Sequence, residues 1–174
     1  MLLLRGINLG PKRRVPMAEL RAVLGDAGHE DVATYVQSGN IVLTGTARPA
    51  QLERDVAALI SGHFGFDVPV IARSRAQLAK VVDLDPLGDV ADNPKRYQVT
   101  FLAKAAPAAE VAALQDLALD SERLAAHGRE LYTWHPDGVA RSKLAAALTA
   151  KRLGANATAR NWTTVTTLLK MAAD

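Results

Sequence analysis

Ten residues constrain the fold more than any others: Tyr35-Val36-Gln37-Ser38-Gly39-Asn40-Ile41-Val42-Leu43-Thr44. Two β-prone runs, Thr34 to Gln37 and Ile41 to Thr44, flank Ser38-Gly39-Asn40. The small side chains of that centre and their tolerance of positive φ suit a tight turn, so the stretch reads as a hairpin. The first half of the chain is arranged around it. Leu2 to Ile7 is a buried strand, broken by Asn8-Leu9-Gly10-Pro11. Pro16 then opens a helix in which Met17, Leu20, Val23 and Leu24 recur at helical spacing, and Gly25 and Gly28 stop it. Beyond the hairpin a second helix runs from about Pro49 to Phe64, with Leu52, Val56, Leu59 and Ile60 on one face, and Asp67 to Ala72 is a fourth strand. Strand, helix, strand, strand, helix, strand is the split βαβ order of a ferredoxin-like unit.

The order then repeats. A short helix from Arg75 to Val82 leads into the acidic, Gly- and Pro-containing stretch Asp83 to Pro94, which reads as a linker. Lys95 to Ala103 is a strand and Pro107 to Leu119 a helix. Glu122 to Ala126 and Glu130 to His135 form a hairpin about His127-Gly128-Arg129, and Ser142 to Leu153 is a helix. Where a fourth strand would close the second unit, Asn156 to Asn161 reads as a loop before a final helix from about Trp162 to Met171. The expected fold class is therefore α+β, with two tandem ferredoxin-like units, the second closed by a C-terminal helix. Residues 1–73 form the first unit, 74–94 the short helix and acidic linker, and 95–174 the second unit with its helix, the expectation being one compact body.

Composition narrows the function classes. At 174 residues and 49% hydrophobic content the chain can build a core. The opening apolar run ends at Arg5 and Gly6, too early for the hydrophobic region of a signal peptide. No segment approaches the roughly 18 apolar residues of a spanning helix, so the expectation is a cytoplasmic protein that makes no use of a membrane. Without cysteine there is no disulfide, thiolate zinc site or Cys nucleophile. The net charge of +3 permits nucleic acid or a phosphorylated small molecule as partner.

Four motifs carry a resemblance. Leu4-Arg5-Gly6-Ile7-Asn8-Leu9-Gly10, Val15-Pro16-Met17-Ala18-Glu19-Leu20-Arg21, Gln37-Ser38-Gly39-Asn40 and Ala159-Arg160-Asn161-Trp162-Thr163-Thr164-Val165 occur in this order from the first strand to the last helix. In them the chain resembles the bacterial domain-of-unknown-function family numbered 1697. The resemblance implies no reaction and no catalytic residues. Pro11 departs from the small residue usual at that place and stiffens the loop.

Two constellations are candidates for function. The first is the polar set Arg5, Asn8, Gln37, Ser38 and Asn40, to which Arg160 and Asn161 are added from the far end of the chain. Strand ends from a paired centre converge on one rim, and two arginines, several amides and a helix N-terminus make a pocket for phosphate or carboxylate. The same residues also serve as turn formers, with Asn161 as a cap for the last helix. The second is aromatic. Tyr97 and Phe101 share parity on one strand, as do Tyr132 and Trp134 on another, the placement from which some sheets stack single-stranded bases. Burial is the ordinary use of such rings.

Other features point less far. Lys12-Arg13-Arg14 is a loop suited to phosphate contact or simply to solvent. The four histidines and the Asp83 to Asp92 carboxylates lack metal-ligand spacing, so no metal and no cofactor is expected. His135, Asp137 and Lys143 assemble into an acid/base set only on paper. Three readings stay open: an anion-binding module engaging a nucleotide or single-stranded nucleic acid, an enzyme acting on a small phosphorylated or carboxylated substrate at the same rim, and a structural or partner-binding protein of unknown oligomeric state.

Overall fold

The computed structural model describes residues 1–153 and 156–173, the side chain of Ala150 excepted. Its contacts divide the chain into one unit of residues 1–78 with 168–174 and another of residues 79–167. The first holds β1 (Leu2–Leu4), α1 (Met17–Asp26), β2 (Glu30–Tyr35), β3 (Asn40–Thr44), α2 (Pro49–Phe64) and β4 (Val70–Ala72). Its sheet has the order β2-β3-β1-β4 with every neighbouring pair antiparallel. This is the split βαβ arrangement, in which each crossover skips one strand.

Alternation along β1 explains the core. Leu2 and Leu4 share a face and pack with Leu20 and Leu24 of α1 and Val56 and Ile60 of α2, all essentially without solvent exposure. Each such burial removes a whole aliphatic side chain from water and contributes about 1.5–3 kcal/mol. β1 ends three residues before the expected Ile7, because the chain turns at Gly6 with φ 68°. The hairpin connection is Val36 to Gly39, and Asn40 already belongs to β3 opposite Tyr35. Gly39 is required there. It has φ 76°, and a Cβ on it would stand 2.6 Å from Leu4 Cβ.

α3 (Arg75–Leu84) follows, its start fixed by Ser74, whose hydroxyl accepts the Gln77 N–H while the Gln77 side chain accepts the Ser74 N–H. The second unit then contains β5 (Tyr97–Leu102), α4 (Ala108–Gln115), β6 (Arg123–His127), β7 (Glu130–Trp134), α5 (Lys143–Ala147), α6 (Ala150–Leu153) and β8 (Ala157–Asn161), before α7 (Trp162–Met171). Its sheet order, β6-β7-β5-β8, is the same as that of the first.

Two expectations are corrected in this unit. The loop expected over Asn156 to Asn161 contains the missing fourth strand: β8 pairs antiparallel with β5 from Leu102↔Ala157 to Gln98↔Asn161. Its sequence, Ala-Thr-Ala-Arg-Asn, has little intrinsic strand character, and the edge that β5 offers decides its conformation. The single helix expected from Ser142 to Leu153 is two. Leu148 leaves the helical region at ψ 63°, and Thr149 starts α6 by accepting the Arg152 N–H on its hydroxyl.

Candidate functional site

The loop between β1 and α1 is held by one side chain. Asn8 has φ 55°, a conformation Asn tolerates better than most residues. Its Oδ1 accepts the Val15 N–H at 2.9 Å, and its Nδ2 donates to the carbonyls of Val15 at 3.0 Å and Gln37 at 2.8 Å. The backbone N–H of Asn8 donates to the Arg13 carbonyl. Both amide protons are thus spent on closing residues 8–15 and tying that loop to the β2–β3 turn. Asn8 was expected to hold an anion; it is the staple of the frame instead. Asn40 plays the same part below it, fully buried, with Nδ2 donating to the Tyr35 carbonyl at 3.0 Å and to Ser38 Oγ at 2.9 Å. Ser38 and Asn40 therefore shape the turn.

The stapled loops border an open cleft of about 750 Å³. Its lining includes Asn8, Gly10, Pro11, Arg14, Pro16, Met17, Ala18 and Gln37. Pro16 is the N-cap of α1 and supplies no side-chain hydrogen bond to the first turn. The first-turn N–H groups have no side-chain cap, and Pro16, Met17 and Ala18 at that end of the helix border the cleft. Of the three adjacent cations, Arg13 is spent: its Nε donates to the Gly6 carbonyl at 2.9 Å, another nitrogen to the Asp67 carbonyl at 2.6 Å, and its guanidinium lies 5.0 Å from the centre of the Phe66 ring. Lys12 and Arg14 are exposed, and Arg14 lines the cleft. The sequence marks all three as suited to phosphate contact, but nothing in a run of three charges says which one faces a cavity. Arg5 lies half-buried at the foot of the same loop, its N–H bonded to the Pro69 carbonyl.

Arg160 and Asn161 do not join one another in a site. They are consecutive in β8, so their side chains leave opposite faces of the sheet. Asn161 Oδ1 accepts the Thr164 N–H at 2.9 Å and caps α7. The Arg160 guanidinium donates to Thr158 Oγ1 at 2.8 Å and to the Ala159 carbonyl at 2.7 Å, and burial pulls its pKa down to about 10.

The aromatic set has the expected placement and a different role. β5 and β7 are adjacent, with Tyr97↔Trp134 and Val99↔Tyr132 in register, so Tyr97, Phe101, Tyr132 and Trp134 share a face. None is open: their exposures are 1%, 1%, 1% and 6%. Tyr97 stacks on Trp162 at 4.7 Å, and the Tyr132 hydroxyl donates to the Val81 carbonyl at 3.2 Å. Desolvation raises the pKa of both phenols. The rings fill a core and leave no platform for bases.

His135 pairs with neither Asp137 nor Lys143. Its Nδ1 lies 2.6 Å from Glu122 Oε1 and its Nε2 2.9 Å from Thr133 Oγ1, with side-chain exposures of only 1% for the imidazole and 3% for the carboxylate. Glu122 also accepts the Leu119 N–H at 3.0 Å, and the hydrogen bonds from Ser142 and His135 outweigh desolvation and hold its pKa below the usual carboxylate range. Asp137 stands 3.5 Å from the Ser121 hydroxyl instead, and Lys143 is exposed. Glu122 was not legible because thirteen residues separate it from His135. Both side chains of the pair are almost wholly shut off from solvent. Among the described residues no group of three or more metal-ligating side chains occurs.

Comparison with known proteins agrees with this architecture. Residues 1–132 match a family described as protein of unknown function (DUF1697). No curated protein matches. The solved structure of the conserved bacterial protein SP0830 from Streptococcus pneumoniae is similar at a TM-score of 0.75 and 25% identity, over 99% of this chain and 97% of that one.

Proposed function

The chain belongs to the DUF1697 family of proteins of unknown function, and we propose that its first unit is an anion-binding module that engages the phosphate of a nucleotide or of single-stranded nucleic acid. One observation carries the reading: the uncapped N-terminus of α1 opens into a cleft beside the exposed Arg14. Backbone N–H groups and a guanidinium that converge on one space are the usual chemistry of phosphate recognition. Asn8 contributes by holding both walls in place, and Arg5 and Lys12 add positive potential. Among the described residues that line the cleft there is no carboxylate and no imidazole, which favours binding over the enzyme alternative. Leu9 and Val36, 86% and 53% exposed on the two stapled loops, favour a second reading in which a protein partner covers this end. Among the described residues no helix is long and apolar enough to cross a membrane.

The test is fluorescence anisotropy of a labelled single-stranded RNA, with pyrophosphate as competitor, at about 50 and 200 mM salt. Binding that weakens with salt, and weakens roughly tenfold further in Arg14→Ala, is the expected result. Absence of binding at low salt, or indifference to Arg14→Ala, removes the reading.

A further inference from the structure

We propose that the ligand of this cleft is a nucleoside phosphate and that Gln37 reads the edge of its base, favouring adenine. The inference rests on the anion-binding reading and adds what the anion is attached to. Pro11, Pro16, Met17 and Ala18 make much of the cleft wall hydrocarbon. A bare phosphate gains nothing from such a wall, whereas an anion carrying a flat heterocycle buries apolar surface against it. The cleft's volume of about 750 Å³ accommodates a mononucleotide, within the range of roughly 300–1,000 Å³ usual for small-molecule sites.

Gln37 supplies the selectivity. Its main-chain carbonyl is pinned by Asn8 Nδ2 at 2.8 Å, its side chain is exposed at the cleft, and its carboxamide makes no hydrogen bond among the described residues. The residue is held while its amide is free. A carboxamide presents an N–H donor and an oxygen acceptor side by side, the complement of the N6 amino group of adenine and the ring nitrogen next to it. Arg14, the start of α1, the prolines and Gln37 line the same cleft, so phosphate, ring and base edge each have a counterpart in it.

Calorimetric titration of pyrophosphate, AMP and GMP into the full chain, and into Gln37→Leu and Gln37→Glu, tests this. Because the side chain is exposed and unbonded, both variants keep the fold, which circular dichroism verifies. The wild type binds AMP roughly tenfold tighter than GMP, the low end of what one bidentate pair discriminates. Gln37→Leu loses that preference with pyrophosphate affinity unchanged. Gln37→Glu, which only accepts, moves the preference toward guanine, whose N1–H and N2 amino group donate side by side. Equal affinity of the wild type for AMP and GMP, or a preference that survives Gln37→Leu, overturns the proposal and leaves the anion site standing. Failure of pyrophosphate and both nucleotides alike overturns the anion site, and this inference with it.

Discussion

Replacing Asn8 by alanine removes three side-chain hydrogen bonds at once, to the Val15 N–H, the Val15 carbonyl and the Gln37 carbonyl. The site is partly exposed, so water satisfies some of the groups left behind, and each bond is worth about 0.5–1 kcal/mol net. Alanine must also adopt the φ of 55° that asparagine tolerates, at about 1 kcal/mol. The sum for Asn8→Ala is about 2.5–4 kcal/mol, a large share of a stability of the order of 5–15 kcal/mol. Asn8→Gly separates the two terms: it accepts the backbone conformation freely and loses only the bonds, so it falls below the alanine variant in cost despite its greater entropy when unfolded. Asn8→Asp is informative in another way, since it keeps the acceptor for Val15 but turns oxygen toward two carbonyls. Urea unfolding monitored by circular dichroism measures all three. An Asn8→Ala variant within about 0.5 kcal/mol of the wild type would refute the assignment of this side chain as the staple of the loops.

Three further outcomes follow from the same geometry. Gly39→Ala places a Cβ 2.6 Å from Leu4 Cβ at φ 76° and lowers stability by about 2–4 kcal/mol in urea unfolding, the combined cost of left-handed backbone and overpacking; a neutral effect contradicts the turn as described. Glu122→Ala leaves His135 and Ser142 buried without their acceptor and costs about 3–5 kcal/mol by the same measurement. Because the folded state holds the Glu122 pKa below its ordinary value, the stabilisation is present above the unfolded carboxylate range and is lost as pH falls through the folded value; thermal midpoints from about pH 7 to about pH 3 fall more steeply in the wild type than in Glu122→Gln, and parallel curves contradict the pairing.

Much of the fold is written locally. The apolar positions of α1 and α2 and the turn at Gly39 are set by helical period and by glycine chemistry, and those are visible in sequence. What escapes is decided by distant partners. β8 is a strand because β5 lies open beside it, and Ala157 to Asn161 carry too little strand character to announce it. The candidate site divides the same way. Asn8, Gln37, Ser38 and Asn40 do gather at one end of the first sheet, but the sequence could not say which of them bonds inward; the structure commits Asn8 and Asn40 to the frame and leaves Gln37 at the cleft, with Arg14 singled out from its basic run. Arg160 and Asn161 looked like neighbours suited to one ligand only while they were read as a loop. In a strand their side chains are on opposite faces.

The most direct test of the proposed phosphate site is a titration of the ¹⁵N-labelled chain with AMP, followed residue by residue through backbone and side-chain amide resonances. The cleft predicts saturable shifts at Gly10, Met17 and Ala18 and at the Gln37 carboxamide, with the amides of the Glu122 and His135 cluster unmoved. Shifts that are absent, or that gather at residues outside the cleft, would contradict it.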